Sequence, residues 1–230
     1  MGKTCVIMQP TYLPWAGYFN LIINSDIFVF LDDVQFEKQS WQNRNKILIN
    51  SKENWLTVPV NRKGLNSYIN EINVDDTQKW RKKHVTSISQ GYSRHPYFQH
   101  LEKVLNIIQD KSLIKLIDIN VNIIISFCNL LKIKKEFVKS SELGCSGTRS
   151  EKLLKIIEEL GCSDYLSPLG SKDYIQEDRI FEKSNINVSY QDYEIKSYNQ
   201  RKSESFISHL SIIDVIANLD LAETNIYINN

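Results

Sequence analysis

Polar side chains that can bind anions or transfer protons are concentrated in the first half of the sequence. Asp32 and Asp33 directly follow an apolar run, and residues 43–46 place a guanidinium between two amides. An arginine offers two parallel donors to a phosphate or carboxylate, and an asparagine both donates and accepts. We therefore predict that Arg44 and Asn43 bind a diphosphate or an acyl carboxylate. The alternative is that these residues form a solvated surface strand.

A second centre of predicted chemistry is His84, which follows Trp80 by four residues. On a helix this spacing puts both side chains on one face. An imidazole is a common general base, so His84 and Asp32 are the predicted catalytic residues. The alternative is that His84 packs against the indole as a structural residue. One aspartate of the pair Asp32 and Asp33 could also hold magnesium beside a diphosphate.

Three aromatic residues, Tyr12, Trp15 and Tyr18, lie in a segment that contains Pro10 and Pro14. Proline fixes its own backbone torsion, so the two prolines favour a preorganised loop. Flat rings with a polar edge can stack on a sugar or a nucleobase, which makes the three residues a predicted ligand wall. The alternative is that they close the end of the core.

The pattern of elements would bring these residues together. Residues 4–8 and 27–31 are apolar runs typical of buried strands, and residues 16–24 between them form an amphipathic helical pattern. Strand, helix and strand in this order predict a parallel, right-handed crossover. In such sheets the ligand crevice lies beyond the carboxyl ends of the strands, where Gln9 and Gln35 follow the two runs. We expect the loops after both strands to line one cleft.

A further loop is predicted at the same edge of the sheet. Residues 149–160 form a helical pattern, and Thr148 with Glu151 has the spacing of a capping box. Residues 164–166 then predict a short strand, and the loop after it carries Lys172. This loop could hold a phosphate or carboxylate, or it could be an ordinary turn.

Composition limits the range of functions. The 230 residues include 28 basic and 27 acidic side chains, a formal charge of +1, which gives no general attraction to nucleic acid or membranes. The four cysteines lack the paired spacing of a metal site, and the first residues lack the apolar core of a signal peptide. Polar residues interrupt the apolar run of residues 113–131, which argues against a membrane span. We expect a reduced cytoplasmic protein without a metal-ligand motif.

Several separated patches of the sequence resemble the WbqC-like family of bacterial surface-polysaccharide loci. The patches are residues 9–19, 26–47, 55–60, the pair Trp80 and His84, residues 164–175, and residues 210–219. This resemblance implies one WbqC-like domain over residues 1–230, with a mainly helical subregion at about 97–160. It also implies a role in making O-antigen or capsule, where 4-amino sugars carry an amino-acid-derived amide.

A more distant resemblance concerns the fold. The loop with Pro10, the helix and the strand that follow are similar to the opening of pantothenate synthetase-like nucleotide-binding enzymes. The implied fold is α/β: a Rossmann-like parallel sheet with flanking helices and a helical C-terminal part. Both histidines of that family's loop signature are absent, because Trp15 to Tyr18 occupy its positions. The resemblance therefore supports the sheet and not adenylation.

Two classes of function follow. The first is an enzyme that transfers an acyl or aminoacyl group, such as glycyl, to the amine of a nucleotide-linked 4-amino-4,6-dideoxy sugar. Its donor would be activated by ATP and magnesium, or carried as a thioester on an acyl or peptidyl carrier protein. The second is a non-catalytic sugar-nucleotide-binding or scaffold protein of the same pathway, and a homo-oligomer is compatible with either. The predicted substrate-binding residues are Gln9, Tyr12, Trp15, Tyr18, Asp33, Gln35, Lys38, Asn43, Arg44 and Lys172.

Overall fold

The computed structural model describes residues 2–62, 64, 66–201 and 203–230. Contacts within the chain group them into two units. The first unit is the chain up to Gln9 with Asn20–Asp33 and Lys134–Tyr193. The second unit is Pro10–Phe19, Val34–Ile133 and Glu194–Asn230.

The helices and strands are numbered in chain order. The strands are β1 Thr4–Met8, β2 Ile27–Phe30, β3 Arg44–Ile49, β4 Lys52–Thr57, β5 Val60–Asn61, β6 Asn73–Val74, β7 Glu136–Lys139, β8 Asp164–Ser167 and β9 Asn187–Tyr190. The helices are α1 Ala16–Ile23, α2 Trp80–Tyr92, α3 Glu102–Gln109, α4 Leu116–Leu130, α5 Ser140–Leu143, α6 Arg149–Glu159, α7 Lys172–Asp178, α8 Ile212–Asn218 and α9 Leu221–Ile228.

A five-stranded sheet in the order β7-β2-β1-β8-β9 forms the centre of the first unit. Every neighbouring pair in it is parallel. Strands β1 and β2 read as continuous apolar runs because most of their residues are buried. Cys5, Ile7, Val29 and Tyr165 share one core with the α6 residue Ile156. The predicted α/β fold with a parallel sheet is confirmed. The parallel pairing also brings the carboxyl ends of β1, β2, β7 and β8 to one edge.

Helix α6 begins and ends close to its predicted limits, but its cap differs from the prediction. Thr148 is the N-cap residue, yet its hydroxyl accepts no hydrogen bond from the first turn. Arg149 has a φ of +48°, a left-handed conformation that changes the direction of the backbone just after the cap. Gly161 has a φ of +63°, which only glycine adopts without strain, and the helix ends before it.

The second unit contains two antiparallel strand pairs and most of the long helices. Strand β3 pairs with β4, and β5 pairs with β6. Helix α4 falls within the apolar run of residues 113–131, and α8 and α9 form the predicted helical C-terminal part. The buried Asn120 of α4 donates from Nδ2 to the carbonyls of Pro10 at 3.0 Å and Gln42 at 2.8 Å. Its polar side chain therefore fixes two loops of this unit.

The helices of the described chain also bear on the expected absence of a membrane span. None of them has both the length and the apolar character that a membrane crossing requires. The assignment of residues 1–230 to one domain with a helical subregion stays a prediction.

Candidate functional site

The predicted site residues fall into two groups. Those in the first unit are Gln9, Asp32, Asp33 and Lys172; those in the second are Tyr12, Trp15, Tyr18, Gln35, Lys38, Asn43, Arg44 and His84. Each group is described within its own unit. The assignment of both groups to one cleft stays a prediction.

In the first unit, Asp32 and Asp33 both contact Ser140, which directly follows β7. Ser140 Oγ lies 3.1 Å from Asp32 Oδ1 and also contacts Asp33 Oδ1. Ser141 donates to Asp32 from its backbone N–H at 2.9 Å and from its hydroxyl at 2.7 Å. Lys152 Nζ lies 2.7 Å from Asp33 Oδ2. All four carboxylate oxygens therefore have partners within this unit.

This arrangement ties the end of β2 to the end of β7. Asp32 is only 1% exposed, so it would have to give up hydrogen bonds before it could exchange a proton with a ligand. Asp33 and Lys152 are less completely buried. Sequence reasoning missed the partners Ser140, Ser141 and Lys152. No strand was predicted at residues 136–139, which are polar at both ends and only partly buried, so the sequence offered little signal for Ser140 and Ser141.

The other two predicted residues of the first unit also lie at the carboxyl edge of the sheet. Gln9 follows β1 and is half-buried. Lys172 is the exposed first residue of α7, and its Nζ lies 5.6 Å from the centre of the Tyr190 ring. The lysine remains accessible to an anion, as the sequence interpretation requires.

The second unit contains a cleft of about 530 Å³ between β4 and the first turns of α2. Trp55 and Thr57 line it from the strand, and Lys79, Trp80, Lys83 and His84 line it from the helix or its N-cap. Trp80 and His84 share one face of α2, as predicted, and their rings meet edge to face with centroids 5.1 Å apart. Of the residues predicted for catalysis, only His84 is part of this cleft.

His84 is a nearly buried hydrogen-bonding group of this cleft, with 3% exposure. Its Nδ1 lies 2.9 Å from the Tyr12 hydroxyl. Burial lowers the pKa of His84 from 6.5 to about 4; a backbone hydrogen bond at Thr57 acts in the opposite direction, and the charge of Lys83 acts in the same direction as burial. The imidazole is therefore neutral near pH 7, with Nδ1 already in contact with a phenol.

Two lysines give the cleft its positive charge. Lys79 and Lys83 are exposed, and no ion pair of the described residues includes either of them. By contrast, the neighbouring Arg81 is buried and bound to Asp76 at 2.7 Å. Lysines without acidic partners beside an indole and an imidazole form a suitable site for an anion attached to a ring. Neither lysine was predicted, because charged residues at the start of a helix are usually solvated.

The remaining polar predictions of the second unit lie in different environments. Arg44 is on β3, with its guanidinium carbon 4.3 Å from the centre of the Trp55 ring. Asn43 is 2% exposed and donates from Nδ2 to the Val58 carbonyl at 3.0 Å, so it fixes the start of the hairpin. Gln35 and Lys38 are exposed. Arg44 is therefore the member of this group that combines an accessible charge with an aromatic neighbour.

The three predicted aromatic residues differ in exposure. Tyr12 and Tyr18 are buried, and burial raises the pKa of each phenol well above its ordinary value. Trp15 is half-buried, and its ring centroid lies 5.2 Å from that of His209. Burial favours the core-packing alternative for the two tyrosines. Trp55 and Trp41, which were not predicted, expose more ring surface than either of them.

Comparison with known proteins provides independent information on relationship. Residues 9–226 match the model of the WbqC-like protein family. The chain is also 30% identical over 220 residues to the uncharacterized protein Rv1507c of Mycobacterium tuberculosis (strain H37Rv), with 94% of each chain covered. No solved structure matches the chain. The similarity therefore extends over nearly the whole sequence but carries no established activity.

Proposed function

Because the chain belongs to the WbqC-like protein family, we propose that it forms an amide on a nucleotide-linked 4-amino-4,6-dideoxy sugar of surface-polysaccharide (O-antigen) biosynthesis. The group transferred is an acyl or aminoacyl group such as glycyl. The observation that carries this proposal is the cleft of the second unit, in which two lysines without acidic partners stand beside Trp55 and His84.

The charges of this cleft fit a sugar nucleotide. Lys79 and Lys83 have no acidic partner among the described residues, and a diphosphate would supply one. An ammonium group is a strong donor to a phosphate. The indole of Trp55 offers a flat apolar surface next to them. A pyranose presents such a surface on its axial C–H side, so one ligand can satisfy both the aromatic and the cationic walls.

In the reaction, the sugar amine attacks the acyl carbon of the donor. A C–N bond forms, the bond from the acyl carbon to the leaving group breaks, and the amine loses one proton. His84 is neutral near pH 7 and lines the cleft, so it is the group proposed to accept that proton. Its low pKa makes it a weak base, and it therefore passes the proton on to the departing group or to water.

The donor is proposed in two forms. An acyl or aminoacyl adenylate, formed from the carboxylate and ATP in the presence of magnesium with release of pyrophosphate, would lose AMP when the amine attacks. A thioester on an acyl or peptidyl carrier protein would lose the carrier thiol. The carboxyl edge of the sheet in the first unit carries Lys172, Asp32 and Asp33. That these residues bind the donor is a separate proposal.

A second candidate is a protein that binds the sugar nucleotide without catalysis. It is favoured by the state of His84, whose Nδ1 is in contact with Tyr12 and whose pKa is lowered to about 4. A residue built into the protein's own hydrogen bonds can shape a cleft without accepting protons. Both candidates require Lys79 and Lys83 for binding, so variants of these lysines test binding in either case. Only a measurement of turnover separates the enzyme from the non-catalytic protein.

The test is to incubate the protein with a deoxythymidine-diphosphate-linked 4-amino-4,6-dideoxy sugar, glycine or an acyl thioester, and ATP with magnesium, and to follow product mass. We expect a mass gain equal to one amide. We expect Lys79→Gln and Lys83→Gln each to weaken sugar-nucleotide binding about tenfold, the loss of one charge-assisted contact. Lys82→Gln is the matched control, since Lys82 is an exposed residue of the same helix outside the cleft lining.

Three outcomes are informative. An amide product formed by the wild type and lost in His84→Gln, with binding kept, supports the enzyme. Binding without product from any donor in the panel favours the non-catalytic protein. Equal binding by the Lys82 and Lys83 variants would remove the cleft from both candidates.

A further inference from the structure

The outward face of the β3–β4 hairpin carries two exposed indoles. Trp41, in the turn before β3, is 48% exposed, and Trp55 of β4 is 44% exposed. Their ring centroids are 5.5 Å apart, with 36° between the ring planes. Arg44 and Lys46 of β3 both approach Trp55. We name Trp41, Arg44, Lys46 and Trp55 the tryptophan face.

The position of Trp41 is fixed although its side chain is exposed. The Tyr12 N–H donates to the Trp41 carbonyl at 2.9 Å. The next residue, Gln42, is buried, and its Oε1 accepts from the Glu37 N–H at 3.0 Å, which closes the turn. An indole on such a pinned turn loses little further freedom when a ring stacks on it, so binding costs less conformational entropy.

The two cations of the tryptophan face are in different states. Lys46 is opposite Trp55 in the strand register, and its Nζ lies 2.9 Å from Glu53. The guanidinium of Arg44 lies 4.3 Å from the Trp55 ring centre, and among the described residues it takes part in no ion pair. An aromatic ring orients the guanidinium by a cation–π contact while its N–H groups stay available. Arg44 is therefore a positioned cation without an anion.

We propose that the tryptophan face binds the nucleoside end of the ligand, with the base stacked on Trp41 and the phosphate next to the nucleoside on Arg44, while the second phosphate extends toward Lys79 and Lys83. Each base has a π-face, so an exposed indole next to a cation matches a nucleotide better than a sugar alone. Trp55 belongs to this face and also lines the cleft with Lys79 and Lys83. A ligand that begins at Trp41 can thus continue past Trp55 into the cleft. The inference rests on the proposed function for its choice of a nucleotide-linked sugar.

The test measures binding of three probes to the full chain by calorimetry: deoxythymidine diphosphate, inorganic pyrophosphate and an oligothymidylate. We expect Trp41→Leu to weaken the nucleotide about tenfold, in line with the stacking of one base, and to leave pyrophosphate unchanged. We expect Arg44→Gln to weaken both by similar factors. Trp41→Phe should recover most of the nucleotide affinity. Tyr68→Leu is the matched control, because Tyr68 is an exposed aromatic residue of the same unit at 50% exposure.

Other results would overturn the inference. If Trp41→Leu binds the nucleotide as the wild type does, or loses the same factor for pyrophosphate, Trp41 does not recognise the base. If the oligothymidylate binds far more tightly than the diphosphate, with affinity that grows with length, the face serves a polynucleotide instead. The inference and the proposed function can fail separately. An amide product with an unchanged KM in Trp41→Leu refutes only the inference, and the expected binding pattern without any product refutes only the reaction.

Discussion

The lowered pKa of His84 predicts a specific loss of stability in acid. In the folded chain the pKa is about 4, against an ordinary value of 6.5. Between these values the unfolded chain binds a proton that the folded chain does not, so the free energy of unfolding rises with pH from 4 to 6.5 and falls as the pH is lowered through that window. Since each pKa unit corresponds to about 1.4 kcal/mol, the full contribution is about 3 kcal/mol.

Tryptophan fluorescence can measure this loss in the relevant part of the chain. All four tryptophans, Trp15, Trp41, Trp55 and Trp80, lie in the second unit together with His84. Urea unfolding followed by this signal at pH 7 and at pH 4.5 should give a difference of about 2–3 kcal/mol for the wild type. His84→Gln keeps an amide that can hydrogen-bond and cannot titrate. Its difference between the two pH values should be smaller by about the same amount.

The comparison must remove one opposing effect. Burial raises the pKa of Asp214 in the same unit, so its ionisation makes the folded state less stable as the pH rises above the usual carboxylate range. Asp214 is present in both the wild type and His84→Gln, so its contribution to the pH dependence cancels when the two proteins are compared. Parallel pH dependence of the wild type and His84→Gln would refute the reasoning. If the variant does not fold, the imidazole resonances of His84 in the wild type supply the test, since they should not titrate above about pH 5.

Three further changes test contacts that the structure makes. Arg81→Lys should destabilise the second unit by about 3 kcal/mol. Arg81 binds Asp76 through two nitrogens at 2.7 and 3.0 Å and also donates to backbone carbonyls, and a lysine cannot make all of these contacts. In urea unfolding, a midpoint like that of Lys82→Gln would contradict this. Asp214→Asn should cost about 1 kcal/mol at neutral pH, measured in the same way. The neutral amide relieves the unfavourable burial of a charge, but it replaces with a donor one of the two oxygens that accept hydrogen bonds from two tyrosines and a glutamine. Lys152→Met should lower the urea midpoint in circular dichroism by an amount equivalent to about 1–3 kcal/mol, because it leaves one carboxylate oxygen of the first unit without its cation, and an unchanged midpoint would show that water replaces the lysine.

Much of the fold could be predicted because its signals are local. The apolar runs at β1 and β2 and the helical pattern between them follow from the order of side chains in a short window. The face shared by Trp80 and His84 follows from helix geometry. The cap of α6 shows where local reasoning fails. The residues of a capping box are present, but the backbone at Arg149 turns out of the conformation that the box needs.

The candidate site was only partly accessible to the same reasoning. Arg44 and His84 could be selected because each residue has a distinctive neighbour in sequence. The lysines of the cleft could not, since what distinguishes Lys79 and Lys83 from other surface lysines is the strand β4 across from them. The exposed faces of Trp41 and Trp55 could not be predicted either, because an indole is buried in most positions.

The sequence by itself determined the first strand, helix and strand, the parallel sheet and the family, because hydrophobic periodicity and residue order encode them directly. The edge strands β7 and β9, which are short and partly polar, were not predicted. Tertiary structure decided which polar residues are available to a ligand. Tyr12, Asp32 and Asn43 have suitable chemistry, but they are enclosed by partners, some of them more than a hundred residues away in the chain, as Ser140 is from Asp32. Availability depends on solvent exposure and on the hydrogen bonds already made. Both are set by long-range packing, and a local pattern contains no record of it.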